Sequence, residues 1–347
     1  MTTNSAAWLR TRFGGPEVGE APVPTPGDTE VVVRTRAVAV NPIDIIPAVP
    51  RWFVLPWLTY PAVIGSDVAG EVVAVGRGVT QVGVGDRVLG HALGVERSRN
   101  RPAEGAFQQL TVLQEHMTSR VPDGISFERA CVLPLGLSTA ACGLFQGDQL
   151  GLRLPRADPP REGTVVVWGG STSVGANAVQ LAVNAGYDVV STASSHNVDV
   201  VRRLGAREVV DRRDDRAVDR VLAAIGGREV HGVLAIGSGS VARCVDIARR
   251  AGGRARVSTT SPAPATVLAR RRARRRGVRL TSIWGGTLAD NEVGPAIYNG
   301  FLPAALADGR YVPAPDPVVI GTGLEHLPDA FARLRRGVSA AKVVVTL

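Results

Sequence analysis

The sequence predicts an α/β chain: a partly open β-barrel or sandwich over roughly the first 125 residues, then a doubly wound parallel sheet. Three observations carry this expectation. Short apolar runs punctuated by Gly and Pro crowd the N-terminal part, and residues 29–40 (TEVVVRTRAVAV) alternate as a strand with one buried face does. From Thr164 the pattern changes to strand and helix in regular succession. The first of these strands runs into a glycine pair, three hydroxyls and a further glycine before an apolar-periodic helix, within TVVVWGGSTSVGANAVQLAVNAGY (164–187).

Taken in order, the 29–40 strand is followed by Asn41-Pro42-Ile43-Asp44, a Pro- and Trp-rich loop to Pro61, and a strand over 66–76. Residues 83–88 form a turn between short strands, and 105–112 start another. Helical segments follow at 126–146, and Gly147–Gly163 is a Pro-rich connector. Strands at 164–168, 188–193, 208–210, 232–236 and 255–258 then alternate with helices at 175–185, 197–204, 217–225 and 241–250, the order of a parallel sheet. Residues 278–283 extend that sheet. Helices near 295–307 and 328–336 and a strand at 342–347 return to the first domain, giving the division 1–127, 128–288 and 289–347.

A strand, a glycine turn and a helix start place free N–H groups and a helix dipole where a dinucleotide pyrophosphate binds. The spacing Gly170, Thr172, Gly175 lacks a middle glycine, so the alternative is a turn that merely needs glycine; the strand–helix alternation behind it favours the dinucleotide. Ser171, Thr172, Ser173 and Val174 are the candidate pyrophosphate contacts, with three hydroxyl donors among them. An NAD site usually ends its second strand in Asp or Glu, about 20 residues on, to bind the ribose 2′-hydroxyl. Here that end reads Ser194-Ser195-His196-Asn197, with no carboxylate to repel a 2′-phosphate, and Arg202, Arg203 and Arg212 add positive charge. The expected cofactor is NADPH. A polar loop capping the next helix is compatible with that role.

The bulk composition narrows the partners. Apolar residues at 45% supply real cores, no stretch resembles a uniform membrane span, and the N-terminus lacks the order of a secretory signal. Cys131, Cys142 and Cys244 show no CxxC spacing, which fits a reducing cytoplasm and argues against a disulfide framework or thiolate metal site. The net charge of +9 is carried almost wholly by arginine, and Lys342 is the sole lysine. Six of the seven residues 270–276 are arginine, but no aromatic interleaves with them, so nucleic acid is not the expected partner. The run reads as a solvated basic face or a surface for an acidic ligand or partner. Gly136-Leu137-Ser138-Thr139-Ala140 approaches a nucleophile elbow, yet no strand precedes the serine and the last residue is Ala.

NPID at 41–44, PAVIGSDVAGEVVAVG at 61–76, GDRV at 85–88, LPLGLSTA at 133–140, the 164–187 turn and the final AKVVV together resemble the medium-chain dehydrogenase/reductase superfamily over the whole chain. Within it, residues 166–197 and GAREVVDRR resemble the zinc-free quinone oxidoreductase branch, above all ToxD-like proteins and trans-acting enoyl reductases of polyketide pathways. The resemblance implies a GroES-like catalytic domain completed by the C-terminus, with a Rossmann domain between. It places a catalytic zinc, where one exists, on a Cys near the first motif and a Gly-His-Glu at the second. Here those places read Asn41-Pro42-Ile43-Asp44 and Gly65-Ser66-Asp67, and Leu89–Gly105 holds none of the four cysteines of a structural zinc lobe. No metal is expected; His91 and His116 lack partners at ligand spacing.

Carried over residue by residue, the resemblance sets Asn41 through Asp44 along the cofactor, and Ile236 and Gly237 near the nicotinamide ribose. It sets Val338 and Ser339 near the nicotinamide amide, and Leu135, Thr139, Trp284 and Thr287 toward substrate. Arg212 stands where the family usually has Tyr against the adenosine part. Tyr60 is the candidate catalytic residue, a phenol able to hydrogen-bond an enolate oxygen; a packing tyrosine beside Pro61 is the alternative. The expected function is zinc-independent, NADPH-dependent reduction of an enone, quinone or acyl thioester. A trans-acting enoyl reductase meeting an acidic carrier protein and a non-catalytic NADPH-binding protein are the alternatives. Family habit adds a homodimer.

Overall fold

Alternating apolar residues and continuous apolar runs give two different kinds of sheet in this protein. The structure, a computed structural model, describes residues 3–347, apart from the side chains at 263–265. Its first strands are β1 (Asn4–Leu9), β2 (Pro16–Ala21), β3 (Glu30–Ala39), β4 (Ala62–Val63), β5 (Asp67–Val75), β6 (Arg87–His91), β7 (Leu110–Gln114) and β8 (Thr118–Arg120). The parallel set follows: β9 (Thr164–Trp168), β10 (Asp188–Ala193), β11 (Glu208–Asp211), β12 (Val230–Ala235), β13 (Arg256–Thr259) and β14 (Arg279–Ser282). Strands β15 (Asp316–Thr322) and β16 (Ala341–Thr346) close the chain. No helix among the described residues is long and apolar enough to cross a membrane.

The chain divides into two compact units, 1–135 with 298–347, and 136–297. The breaks lie a little beyond the sequence boundaries at 127 and 288, because one falls inside the helix Pro134–Phe145 and the other in the helical stretch Ala296–Phe301, where composition does not change.

In the first unit β3 is the hub. It pairs with β5 along its length, while its other edge is shared: β7 takes Glu30–Arg34 and β16 takes Ala37–Ala39. The sheet runs β15-β16-β3-β5-β6-β8, and a separate sheet runs β2-β1-β4. Two arginines of the 92–105 loop pin it to Glu30 of this sheet and share Glu104 of the loop. Arg99 reaches Glu30 at 2.6 Å and Glu104 at 2.7 Å, and Arg101 reaches both, at 2.7 and 2.9 Å. Burial alone would raise the Glu30 pKa, but Arg101, the Gly27 N–H and Gln114 overcome it and hold the group at about 2. This is the stretch where the resemblance looked for a four-cysteine lobe.

In the second unit the order is β11-β10-β9-β12-β13-β14, all parallel, so the strand sequence reverses between β9 and β12. Ligands of doubly wound sheets bind outside the carboxyl ends of the strands at that reversal. The central strands β9, β10 and β12 are buried almost throughout because helices cover the sheet, and Val166, Val190, Val233 and Val257 share one core with Cys244 and Ile247. The helix Ser173–Asn184 sits hard on the turn: a Cβ on Gly175 would lie 2.1 Å from the Gly169 carbonyl oxygen.

Several elements went unread in the sequence: β1, β2, β15, the helix Ala48–Val54 in the Trp-rich loop, and the helix Ala263–Arg275 that carries most of the arginine run. Each is short, half-exposed or polar all round, so no apolar period marks it.

Gly175→Ala should destabilise the protein by about 1–3 kcal/mol, because the clash is with backbone that has no rotamer to yield. Urea unfolding of the purified variant measures it; an unchanged midpoint contradicts the packing described.

Candidate functional site

The turn after β9 is built for an anion. Gly169 adopts φ +95°, a left-handed conformation that glycine takes without strain, and its N–H bonds back to Thr192 of β10. A Cβ on Gly170 would lie 2.2 Å from the Ser191 hydroxyl, so the backbone passes close over β10. Thr172 caps the helix: its hydroxyl accepts from the Gly175 N–H at 3.0 Å and donates to the Gly169 carbonyl at 2.8 Å. The three-hydroxyl expectation is thereby corrected, since Thr172 spends its proton inside the turn. Ser173 and Val174 occupy the first helical turn, where N–H groups have no intrahelical acceptor. The buried Ser173 hydroxyl has no hydrogen-bond partner among the described residues.

Around the end of β10 the residues singled out for a 2′-phosphate converge. Arg212 donates from Nε to the Ser194 hydroxyl at 3.2 Å, and its N–H bonds to the Ala193 carbonyl. Asn197 is buried with its amide 3.5 Å from the Ser171 hydroxyl, while Ser195 and His196 are exposed. Arg202 faces its own helix neighbour Asp199 at 3.6 Å. Sequence reasoning missed Arg243, which donates to the Arg212 carbonyl at 3.3 Å and lies 5.5 Å over the Trp168 ring. Nothing in the sequence ties it to β9 and β11; the sheet order does. At the strand reversal the Ile236 N–H bonds to the Trp168 carbonyl at 3.1 Å, and Gly237 turns at φ +86°.

Of the four candidate substrate residues, Thr139, Trp284 and Thr287 belong to the second unit and Leu135 to the first. Trp284 and Thr287 line a cleft of about 420 Å³ with Gln146, Asp148, Ser282 and Asn291. The Thr287 hydroxyl is tied to the Trp284 carbonyl at 2.8 Å and meets Gln146 and Cys142. A Cβ on Gly285 would lie 2.7 Å from the Thr139 hydroxyl. Tyr60 is half-buried, as is Val338, and Ser339 is exposed.

In the first unit Asn41 through Asp44 form a turn with its polar groups inward. The Asn41 N–H donates to the Asp44 carboxylate at 2.8 Å, and the Asp44 N–H returns to the Asn41 carbonyl at 3.0 Å. Pro42 is exposed and Ile43 half-buried. The Asn41 amide donates to Asp67 at 2.8 Å, and Lys342 donates to both, 2.5 Å from Asn41 Oδ1 and 2.9 Å from Asp67 Oδ2. The Leu135 N–H takes the other Asp67 oxygen at 2.6 Å. Strand register explains the gathering. Val344 pairs with Ala39, Ala39 with Asp67, and Asp67 with His91, so adjacent strand ends present these groups together. Burial pushes the Asp44 pKa up to about 7, with Asp67 adding repulsion, and burial pulls His91 down to about 4 against the attraction of Asp67.

With the geometry in place, two family descriptions match: "Alcohol dehydrogenase GroES-like domain" over residues 27–123 and "Zinc-binding dehydrogenase" over 173–298. The dehydrogenase pigH of Monascus ruber is 44% identical, with both chains covered in full. The trans-enoyl reductase himH of Aspergillus japonicus is 36% identical over 99% of this chain and 97% of its own. The quinone oxidoreductase structure from Coxiella burnetii aligns over 99% of each chain with a TM-score of 0.71 at 20% identity.

The zinc in the second description does not fit the residues here. An amide and a carboxylate stand at the two implied ligand places, and their oxygens already hold the Lys342 ammonium. Among the described residues no group of three or more His, Cys, Asp or Glu side chains is arranged to hold a metal ion.

Because folded Asp44 keeps a proton that the unfolded chain releases near 3.8, its contribution to stability is full below that pH and is lost as pH rises through about 7. Asp44→Asn should therefore gain on the wild type as pH goes from 5 to 8. Urea midpoints of both proteins across that range check this; a constant difference refutes it. The subtraction cancels His91, whose opposing loss comes as pH falls from 6.5 towards 4.

Proposed function

Since the chain belongs to the medium-chain dehydrogenase/reductase superfamily of oxidoreductases, we propose that it is an NADPH-dependent, zinc-independent reductase acting on an enoyl or quinone substrate. The observation that carries the reading is the end of β10: Ser194, Asn197 and Arg212 stand together there, with no carboxylate among them. The glycine turn and the free N–H groups at the start of the helix Ser173–Asn184 fit a pyrophosphate.

When bound, NADPH supplies the hydride. The protein's part is binding and orientation. The Ser173 and Val174 N–H groups and the helix dipole hold the pyrophosphate, and Ser194, Asn197 and Arg212 hold the 2′-phosphate, with Arg243 adding positive charge beside Arg212. Asn41 through Asp44, Ile236, Gly237, Val338 and Ser339 fix the remainder of the coenzyme. Leu135, Thr139, Trp284 and Thr287 face the acceptor and hold it in a reacting pose. Tyr60 hydrogen-bonds the oxygen on which negative charge builds. The relatives' names, trans-enoyl reductase among them, support the enoyl reading.

A second reading has its own observation. Arg271, Arg272, Arg274, Arg275 and Arg276 are exposed along and just past one helix, and none carries an ion pair among the described residues. Such a face suits an acidic carrier protein bearing the acyl substrate.

NADPH consumption, screened against quinones, enones and acyl thioesters with and without carrier protein and chelator, tests both readings. Oxidation unaffected by chelator supports the first, and a gain from the carrier supports the second. NADPH binding without turnover leaves a non-catalytic protein. Arg212→Ala should raise the KM for NADPH about tenfold and leave that for NADH nearly unchanged, the loss expected for one charge-assisted hydrogen bond. Equal changes with both coenzymes contradict the assignment.

A further inference from the structure

Lys342 is the sole lysine in a chain with 40 basic residues, and it is buried, 5% exposed, against an Asp67 that is fully buried. A composition this biased toward arginine offers guanidinium everywhere else. An ammonium is compact, and it donates in several directions from one point, whereas a guanidinium needs a flat slot. The space between Asp67 and Asn41 admits the former, with Nζ 2.9 Å from one and 2.5 Å from the other. Apart from the Leu135 N–H on the other Asp67 oxygen, the remaining bonds of the cluster lead to the same turn. Asn41 donates to Asp67 through its side chain and to Asp44 through its backbone, and Asp44 returns a bond to Asn41. The strand that brings Lys342 also fixes the turn's root, since the Val40 N–H bonds to the Val343 carbonyl at 2.9 Å.

We propose that Lys342 is a positioning residue: its ammonium, seated on Asp67 and Asn41, locks the Asn41–Asp44 turn in the shape that receives the coenzyme. A side-chain cation thus organises the place where the family resemblance implies a metal ion in zinc-dependent members. The coenzyme clause rests on the reading proposed above; the lock itself does not.

Three measurements on the full-length protein test it. With lysine labelled by nitrogen-15, the single side-chain signal should show ammonium protons exchanging slowly with water at pH 7; a rapidly exchanging, solvent-averaged signal overturns the proposal without any variant. Lys342→Met leaves Asp67 buried without a counter-charge and should unfold earlier, so Asp67→Asn with Lys342→Met supplies a variant with both charges removed. In the double variant, exchange of the Asn41 and Asp44 amides should speed up while β9–β14 keep their protection, and NADPH affinity read by fluorescence should fall about tenfold or more. Lys342→Arg should not restore either. Wild-type protection at Asn41 and Asp44 and wild-type NADPH affinity in the double variant would show a merely space-filling lysine. Should the unsubstituted protein bind no NADPH, the functional reading fails, and amide exchange still decides the lock.

Discussion

One buried cation governs the catalytic-type unit. Taking the Lys342 ammonium out of water is affordable only because Asp67 and Asn41 meet it with oxygens already fixed by strand register and by the Leu135 N–H. Register cannot slip by one residue without moving Asp67 to the other face of its sheet and leaving two charges unpaired. The pairings of β16 with β3, of β3 with β5 and of β5 with β6 are thereby specified by chemistry as well as by apolar burial.

The second unit answers to a different constraint, close approach of backbone to backbone. Gly175 against the Gly169 carbonyl and Gly170 against Ser191 bring helix, turn and strand within van der Waals contact. The helix start is left facing outward beyond the strand ends, where a dipole and unpaired N–H groups favour an anion. Arg212 and Arg243 bring positive charge to the same end of the sheet.

Charge clusters stand at the two places where the family resemblance implies metal in zinc-dependent members. Lys342 lies between the two implied ligand places, and Arg99 and Arg101 clamp Glu30 and Glu104 across the loop where a cysteine lobe was looked for. Both arrangements tie distant segments to one point.

The parallel sheet was legible because short β-branched runs such as that of β9 alternate with amphipathic helices, and Thr164–Trp168 and Ala217–Ile225 fall where that pattern puts them. Edge strands such as β2 and β15 and the arginine-rich helix carry no such signal, since solvent tolerates nearly any residue there. At the coenzyme end, the missing carboxylate after β10 could be read directly; Arg243 could not, because its place depends on β12 lying next to β9. By itself the sequence determined the two-part fold, the glycine turn and the lack of Cys and His at the two motifs, all of them local patterns. Only the tertiary structure decided that the terminal lysine meets Asn41 and Asp67, because that contact joins strands far apart in the chain and exists only once their hydrogen bonds are in register.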